Sequence, residues 1–443
     1  MAFQQGLSGL NVSSKALDVT SNNIANASTV GFKAGSAHFS DVYASSLAGG
    51  GASQAGIGVA LSAVAQQFTQ GNITTTNNPL DISINGNGFF RMDEGGSISY
   101  TRNGQFHLDK NGYIVNDQAM RLTGYPADAT GLIVPSTPTM LQLSSSDLSP
   151  VATGGSIGGS FAGVLANLNL DSRQAPPTTP WADGPVQTIG TNDQWNPSPA
   201  TYNYSTALSV YDSLGNAHTL TLYFVKNATP GGWDVHANVD GTTNANLYAA
   251  GAPLGTLTFN TSGQLDTTVP GNGVMNVSID LNGVMDDLSK PNSAATPLAF
   301  DLDFTGSTQF GSSFGTNRLE QDGYTSGRLT GLSVGSDGVI QGRYSNGQTR
   351  NQGQVVLANF TNPNGLQSVG DNQWVETSVS GPPLVGSPNT SSLGVLQSAS
   401  IEESNVDLTG ELVTMITLQR NYQANAQSIK TQDQIMQTLV NLR

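Results

Sequence analysis

The C-terminal run, residues 404–443, constrains this chain most, because it has the pattern of one long amphipathic helix that cannot bury its own apolar stripe. Leu408, Leu412, Met415, Tyr422, Ala426, Ile429, Met436 and Val440 recur at alternating three- and four-residue steps, with Gln419 and Asp433 at the same phase. No proline interrupts the run, and a helix of roughly 35 residues is on the order of 55 Å long at 1.5 Å rise per residue. Glu402, Glu403, Asp407 and Glu411 crowd its start while Arg420, Lys430 and Arg443 lie further on, as the helix dipole favours. Ser404 with Asp407 reads as a capping box, which puts the first turn at Ser404 and leaves Glu402 and Glu403 as a solvated helix start. Such a helix needs a partner. The other candidate lies at the opposite end of the chain, where Phe3, Leu7, Leu10, Leu17 and Ile24 keep the same spacing, with Ser14 and Ser21 at the weak positions. The termini are therefore expected to meet, within one chain or between copies, which periodicity alone does not separate.

Between the ends the period changes from helical to two. Residues 34–71 are small and polar, contain Gly49-Gly50-Gly51, and read as an extended, loosely structured connector. Leu80–Ile84 alternates, Asn85-Gly86-Asn87-Gly88 reads as a tight turn, and Phe89–Met92 as the return strand. Further hairpin signals stand at Arg102-Asn103-Gly104, at Asp109–Gly112 and, later, at Ser336-Asp337-Gly338. Proline-rich stretches near 135–150 and 176–199 flank strands at 161–170, 207–211, 219–225 and 256–260. The expected fold is mainly β with α-helical termini: a coiled-coil-like stem plus two nested all-β domains, the second inserted into the first. The expected bounds are a stem at 1–32 plus 402–443, a connector at 33–73 packing near the stem, a first β-domain at 74–150 plus 317–401, and an inserted domain at 151–316.

Composition excludes several classes of function. With 16 Lys+Arg against 31 Asp+Glu and a net charge of −15, the chain lacks the basic face that nucleic acid requires. It has no cysteine, so disulfides, thiolate metal sites and cysteine nucleophiles are absent. No apolar run approaches the ~18 residues of a membrane span, and the start of the chain lacks the basic and apolar regions of a cleaved secretory signal. With 52 Gly and only 11% charged residues, tight turns and a neutral hydrogen-bonding surface are expected.

The motifs that match catalytic patterns on paper read as turns. Gly311-Ser312-Ser313-Phe314-Gly315 fits the nucleophile-elbow spacing, but that architecture needs a histidine after the serine, and the last is His236. His38, His107, His218 and His236 sit in separate segments without metal-ligand spacing and read as exposed or strand-face residues. Neither Asp109–Gly112 nor Ser336–Gly338 continues into a calcium loop. Asp286-Asp287 reads as a solvated turn. No cofactor, metal or catalytic residue is expected.

The two ends carry a resemblance. Leu17-Asp18-Val19 through Asn22-Asn23-Ile24-Ala25-Asn26 to Thr29-x-Gly31-Phe32-Lys33 is similar to the signature shared by the axial rod and hook proteins of the bacterial flagellum. Glu403-Ser404-Asn405-Val406-Asp407-Leu408, with Gln419-Arg420-Asn421-Tyr422, Val356–Phe360 and Gly370–Trp374, resembles the hook members more than the rods. Gly410 departs from the helix-favouring residue expected there and weakens the first turn by ~1 kcal/mol.

The resemblance implies a structural subunit that self-assembles into a helical homopolymer, a short flexible tube passing motor torque to the filament. It also implies an extracellular location, export through the flagellar type III apparatus without a cleaved signal, and the distal rod, hook cap and hook–filament junction proteins as partners. Leu7, Leu10, Leu17, Ile24, Leu408, Leu412, Met415, Tyr422, Ile429 and Met436 are the expected assembly residues. A distal rod subunit is the close alternative. An acidic surface adhesin with a glycan-binding inserted domain is the alternative from a different class, and a glycosidase stands third.

Overall fold

The computed structural model describes residues 2–42, 58–128, 130–144, 146–155, 161–182, 196–242, 252–282, 284 and 293–441. The middle of the connector, much of the second proline-rich stretch and Asp286-Asp287 lie outside the described residues.

The chain begins with helix α1 (Ala2–Ala25) and closes with helix α2 (Leu408–Asn441), which pack against each other. They run antiparallel: Gly6 lies against Ile429, Gly9 against Asn425, and Asn23 donates to Glu411 Oε1 at 2.9 Å. The helix pair expected from the apolar spacing thus forms, with the expected Ile429 of α2 at the contact, but on α1 it runs along a different stripe. On α1 the contact face is Gly6, Gly9, Ser13, Ala16, Thr20 and Asn23, of which the last four are buried. A Cβ on Gly6 would sit 3.0 Å from Ile429 and one on Gly9 2.9 Å from Asn425. Small residues at three- and four-residue steps therefore set how near the helix axes come. Leu10, Leu17 and Ile24 lie half-buried and Leu7 exposed.

Helix α2 starts at Leu408, not Ser404. Residues Ser400–Glu402 are a strand paired with Ile73–Thr75, so the chain is still extended there. Asp407 makes the cap, its Oδ1 accepting from the Thr409 N–H at 3.0 Å.

The described part of the connector is an ordered hairpin. Strand β1 (Gly35–Val42) pairs antiparallel with β2 (Gly58–Gln66), and both pack on α1. Ser8 fastens β2, its Oγ accepting from the Val59 N–H at 2.8 Å and donating to the Val59 carbonyl.

Two compact units make up the chain. The first contains residues 1–145, 331–343 and 349–443, so the helices and the first β-region belong to one body. A 13-stranded sheet and two-stranded ladders surround a core of Ile82, Ile84, Phe90, Met92, Phe106, Ile114 and Leu122. Beside it, Phe89, Tyr100, Phe360 and Trp374 meet edge to face.

Two hairpins read from the sequence are connections of another kind. Ile82–Asn85 pairs with Val395–Ser398, while Phe89–Glu94 pairs with Ser97–Thr101. The turn at 85–88 thus passes the chain between sheets, with Gly86 and Gly88 at φ 110° and 125°. Gly104 likewise closes no hairpin: a Cβ there would collide with the Ile82 carbonyl, whose strand the backbone approaches. The turn at Asp109–Gly112 does join paired strands, His107↔Val115 and Leu108↔Ile114.

The second unit contains residues 146–330 and 344–348 and packs two four-stranded sheets around Trp233, Phe224, Phe304, Leu220, Leu222 and Val277. Two of the histidines, His218 and His236, lie on its strands, one of the two expected placements, and both are buried. His218 Nδ1 lies 2.7 Å from Asp240 Oδ2, and His236 stacks on Trp181 with ring centroids 4.2 Å apart. The Ser312–Ser313 turn accepts from the Asn169 amide and leads into strand Gly315–Gln321, not a helix.

Candidate assembly site

Everything that leaves the helical stem for the β-region passes one buried carboxylate. Glu402, fully buried, ends the strand before α2; Lys33 lies eight residues after α1; Arg102 follows the strand Ser97–Thr101. Glu402 Oε1 accepts from Lys33 Nζ at 2.6 Å and from the Gly71 N–H at 2.9 Å, and Oε2 accepts from Arg102 Nη1 at 3.1 Å. Its main-chain carbonyl accepts from the Gly31 N–H at 2.8 Å. Lys33 Nζ also donates to the Thr69 carbonyl at 2.7 Å, and Arg102 Nη2 to the Gly86 carbonyl at 2.8 Å. The Glu402 expected at a solvated helix start is instead the centre of a dry ion cluster. Burial pushes the Lys33 ammonium below its usual range; Glu402 opposes that fall and Arg102 adds to it. Burial also lowers Arg102, with Glu402 pulling the other way.

The residues of the terminal signature sit around this cluster. Asn23 Nδ2 donates to the Gly35 carbonyl at 2.8 Å while its Oδ1 accepts from the Gly35 N–H at 2.9 Å, which pins β1 to α1. Asn26 donates to the Asn22 carbonyl and closes the helix end. Gly31 has φ 69°, and a Cβ there would strike the backbone of Asn103. Phe32 is half-buried. Asn405 Oδ1 accepts from the Ala34 N–H at 2.8 Å and its amide donates to the Gln67 carbonyl at 2.7 Å, tying the entry of α2 to the exit of α1. Asn22, Asp407, Gln419, Arg420 and Asn421 are exposed.

The stem divides its apolar residues between an inner and an outer set. Met415 and Ile429 are half-buried on the side of α2 that faces α1, with Leu418 and Asn425 between them. Leu408, Leu412 and Tyr422 are exposed, as are Val413 and Ile416. Beyond the start of α1, Met436 is 61% exposed and Val440 72%. An isolated soluble chain gains nothing from a row of exposed apolar side chains on a two-helix stem, whereas a surface that meets other surfaces does.

Comparison with known proteins bears directly on this arrangement. Family models match along the chain: flagellar basal body rod protein at residues 3–33, flagellar hook protein FlgE/F/G D1 domain at 83–147, flagellar basal body protein FlaE D2 domain at 169–324, and flagellar basal body rod FlgEFG protein C-terminal at 397–442. The flagellar hook protein FlgE of Escherichia coli is 40% identical over the full length of both chains. The chain belongs to the flagellar hook protein family. The hook protein of Borreliella burgdorferi is 34% identical, covering 100% of this chain and 99% of that one. The solved structure of the Helicobacter pylori flagellar hook protein FlgE2 shares the fold, with a TM-score of 0.50 and 14% identity over 74% of this chain and 99% of that one. Within this hook-family chain, the terminal models meet at the stem and the Glu402 cluster, residues 3–33 supplying α1 and Lys33, and residues 397–442 supplying Glu402 and α2.

Proposed function

We propose that the chain is a structural subunit of the bacterial flagellar hook, polymerising through its terminal helices into a short curved tube that passes motor torque to the filament. The observation that carries this reading is the full-length match to hook proteins, joined to a stem whose outer apolar residues are uncovered in a single copy. In this reading Leu7, Leu10, Leu17, Ile24, Leu408, Leu412, Met415, Tyr422, Ile429 and Met436 hold copies together, Met415 and Ile429 by fixing the helix pair and the exposed members by meeting neighbours. The stem (1–32 and 402–443), connector (33–73), first β-domain (74–150 and 317–401) and inserted domain (151–316) act as its working parts. The weakly charged, glycine-rich β-domains suit a tube that bends, because they offer few directional locks to neighbouring copies. The subunit performs no catalysis, works outside the cell after type III export, and abuts the distal rod, cap and junction proteins.

Ile429→Asp tests the reading. It puts a carboxylate against Gly6, so electron microscopy of the purified variant should find no tubes while circular dichroism still reports folded β-domains. Tubes formed by that variant would remove the helix pair from the assembly mechanism. The terminal models named for rod proteins support one alternative, a distal rod subunit. Straight rigid cylinders, instead of curved flexible ones, would favour it.

A further inference from the structure

Two surfaces of the stem remain open in a single copy. The first is a groove of about 390 Å³ between the outer face of α1 and strand β2, lined by Leu7, Ser8, Val12, Val59, Ala60 and Leu61, with Lys15 at one end. Its α1 residues fall at three- and four-residue steps on a face turned well away from the small-residue stripe that meets α2. Phe39, paired across the hairpin with Leu61 and likewise exposed, extends the apolar surface.

The second surface is the free end of α2. Helix α1 spans 24 residues and α2 34. The pairing of Asn23 with Glu411 and of Gly6 with Ile429 sets them flush at the β-region end, so all the excess lies at the C-terminal end of α2. About ten residues there, roughly 15 Å of helix, have no α1 beside them. Met436 follows Ile429 by seven residues and Val440 by eleven, so both continue the face that packs on α1. The inner seam therefore runs on past the end of its own partner.

We propose that the groove between α1 and β2 of one copy receives the overhanging turns of α2, Met436 and Val440 leading, from the next copy. The inference rests on the polymer reading above and names the surfaces that mate. A groove and a ridge on one molecule make a heterologous contact, which propagates into an open helical array instead of closing a dimer. The lengths agree, since the groove follows α1 from Gln4 to Lys15, a rise of roughly 17 Å. Charge gives the direction: Asp433 opens the overhang and Lys15 closes the groove, so the inserted helix runs antiparallel to α1, as α2 does within one chain. All stems then point the same way, and mating copies are offset along the stem by about 20 Å, the rise of the α1 residues between the two placements of Asp433.

The chain has no cysteine, so introduced pairs report cleanly. One preparation carries Leu61→Cys and another Met436→Cys; mixed in equal amounts, they are polymerised, oxidised and run on a non-reducing gel. A covalent dimer containing one chain of each kind, seen in tubes and absent from unassembled mixtures, is the expected result. A second pair at exposed positions, Ala60→Cys with Gln437→Cys, diluted into wild-type chain, guards against variants that do not assemble. Tubes that form with neither pair cross-linking overturn the docking while leaving the polymer reading intact. Wild-type chain that forms no tubes overturns both.

Discussion

Replacing Glu402 by Gln should open the junction between stem and β-region more than any surface change of similar size. The carboxylate accepts from the Lys33 ammonium, the Arg102 guanidinium and the Gly71 N–H, and the three charged side chains are buried. An amide keeps one acceptor and turns a donor toward the other cation, leaving Lys33 and Arg102 uncompensated beside each other. Removing one member of a buried charge cluster costs about 3–5 kcal/mol, equivalent to roughly a 10²- to 10³-fold or greater rise in the open population. Lys33 supplies its own assay, because trypsin can cut after it only when the cluster opens. Cleavage measured under conditions where opening and closing are fast reports that equilibrium. The expected result is a gain in Lys33 cleavage of at least two powers of ten for Glu402→Gln, with cleavage at the exposed Lys15 unchanged. A gain below tenfold would show that the cluster does not hold the junction.

Gly9→Leu should separate the helices, because a Cβ alone would lie 2.9 Å from the Asn425 amide. Overpacking of this kind costs ~1–3 kcal/mol, so helical circular dichroism should melt at lower temperature while the β signal stays, and a melt unchanged from wild type would refute the small-residue seam. His218 gives a pH dependence confined to the second unit. Burial works against its imidazolium, but Asp240 and Asp212 outweigh that and hold its pKa above the ordinary 6.5. Its stabilisation is therefore complete below about pH 6.5 and is lost as pH rises through the folded value. Urea unfolding followed by fluorescence of the buried Trp233 should give a midpoint that falls as the pH is raised above 7, and His218→Gln should flatten that fall; an equally steep fall in the variant would sink the assignment.

How much of this was legible depended on how far apart the interacting residues lie in the chain. Two long amphipathic ends with no other partner imply a helix pair, and the pair is there. Its phase was hidden because apolar spacing points to Leu7, Leu10 and Leu17, whereas Gly6, Gly9, Ser13 and Ala16 make the contact through closeness, not hydrophobicity. The regular recurrence of small residues on α1 was the available signal. For helix α2 the capping-box reading put the start at Ser404, whereas the pairing of Ser400–Glu402 with Ile73–Thr75 keeps the chain extended just before it and Asp407 makes the cap. The glycine turns at 86–88 and 104 look like hairpin turns locally, because period-two runs do not name their partners. Glu402, Lys33 and Arg102 could not be joined from the sequence at all: 369 residues separate the first two and 300 separate Glu402 from Arg102.

That same cluster decides how load reaches the helices. Both peptide exits from the β-region, the one after Ala25 and the one before Leu408, run to the same end of the antiparallel pair and are bolted together there. A pull or twist arriving through the β-region of the first unit is shared by the two legs at once. Neither helix can be drawn past the other until the dry salt knot tears, so the stem answers strain as a single rod.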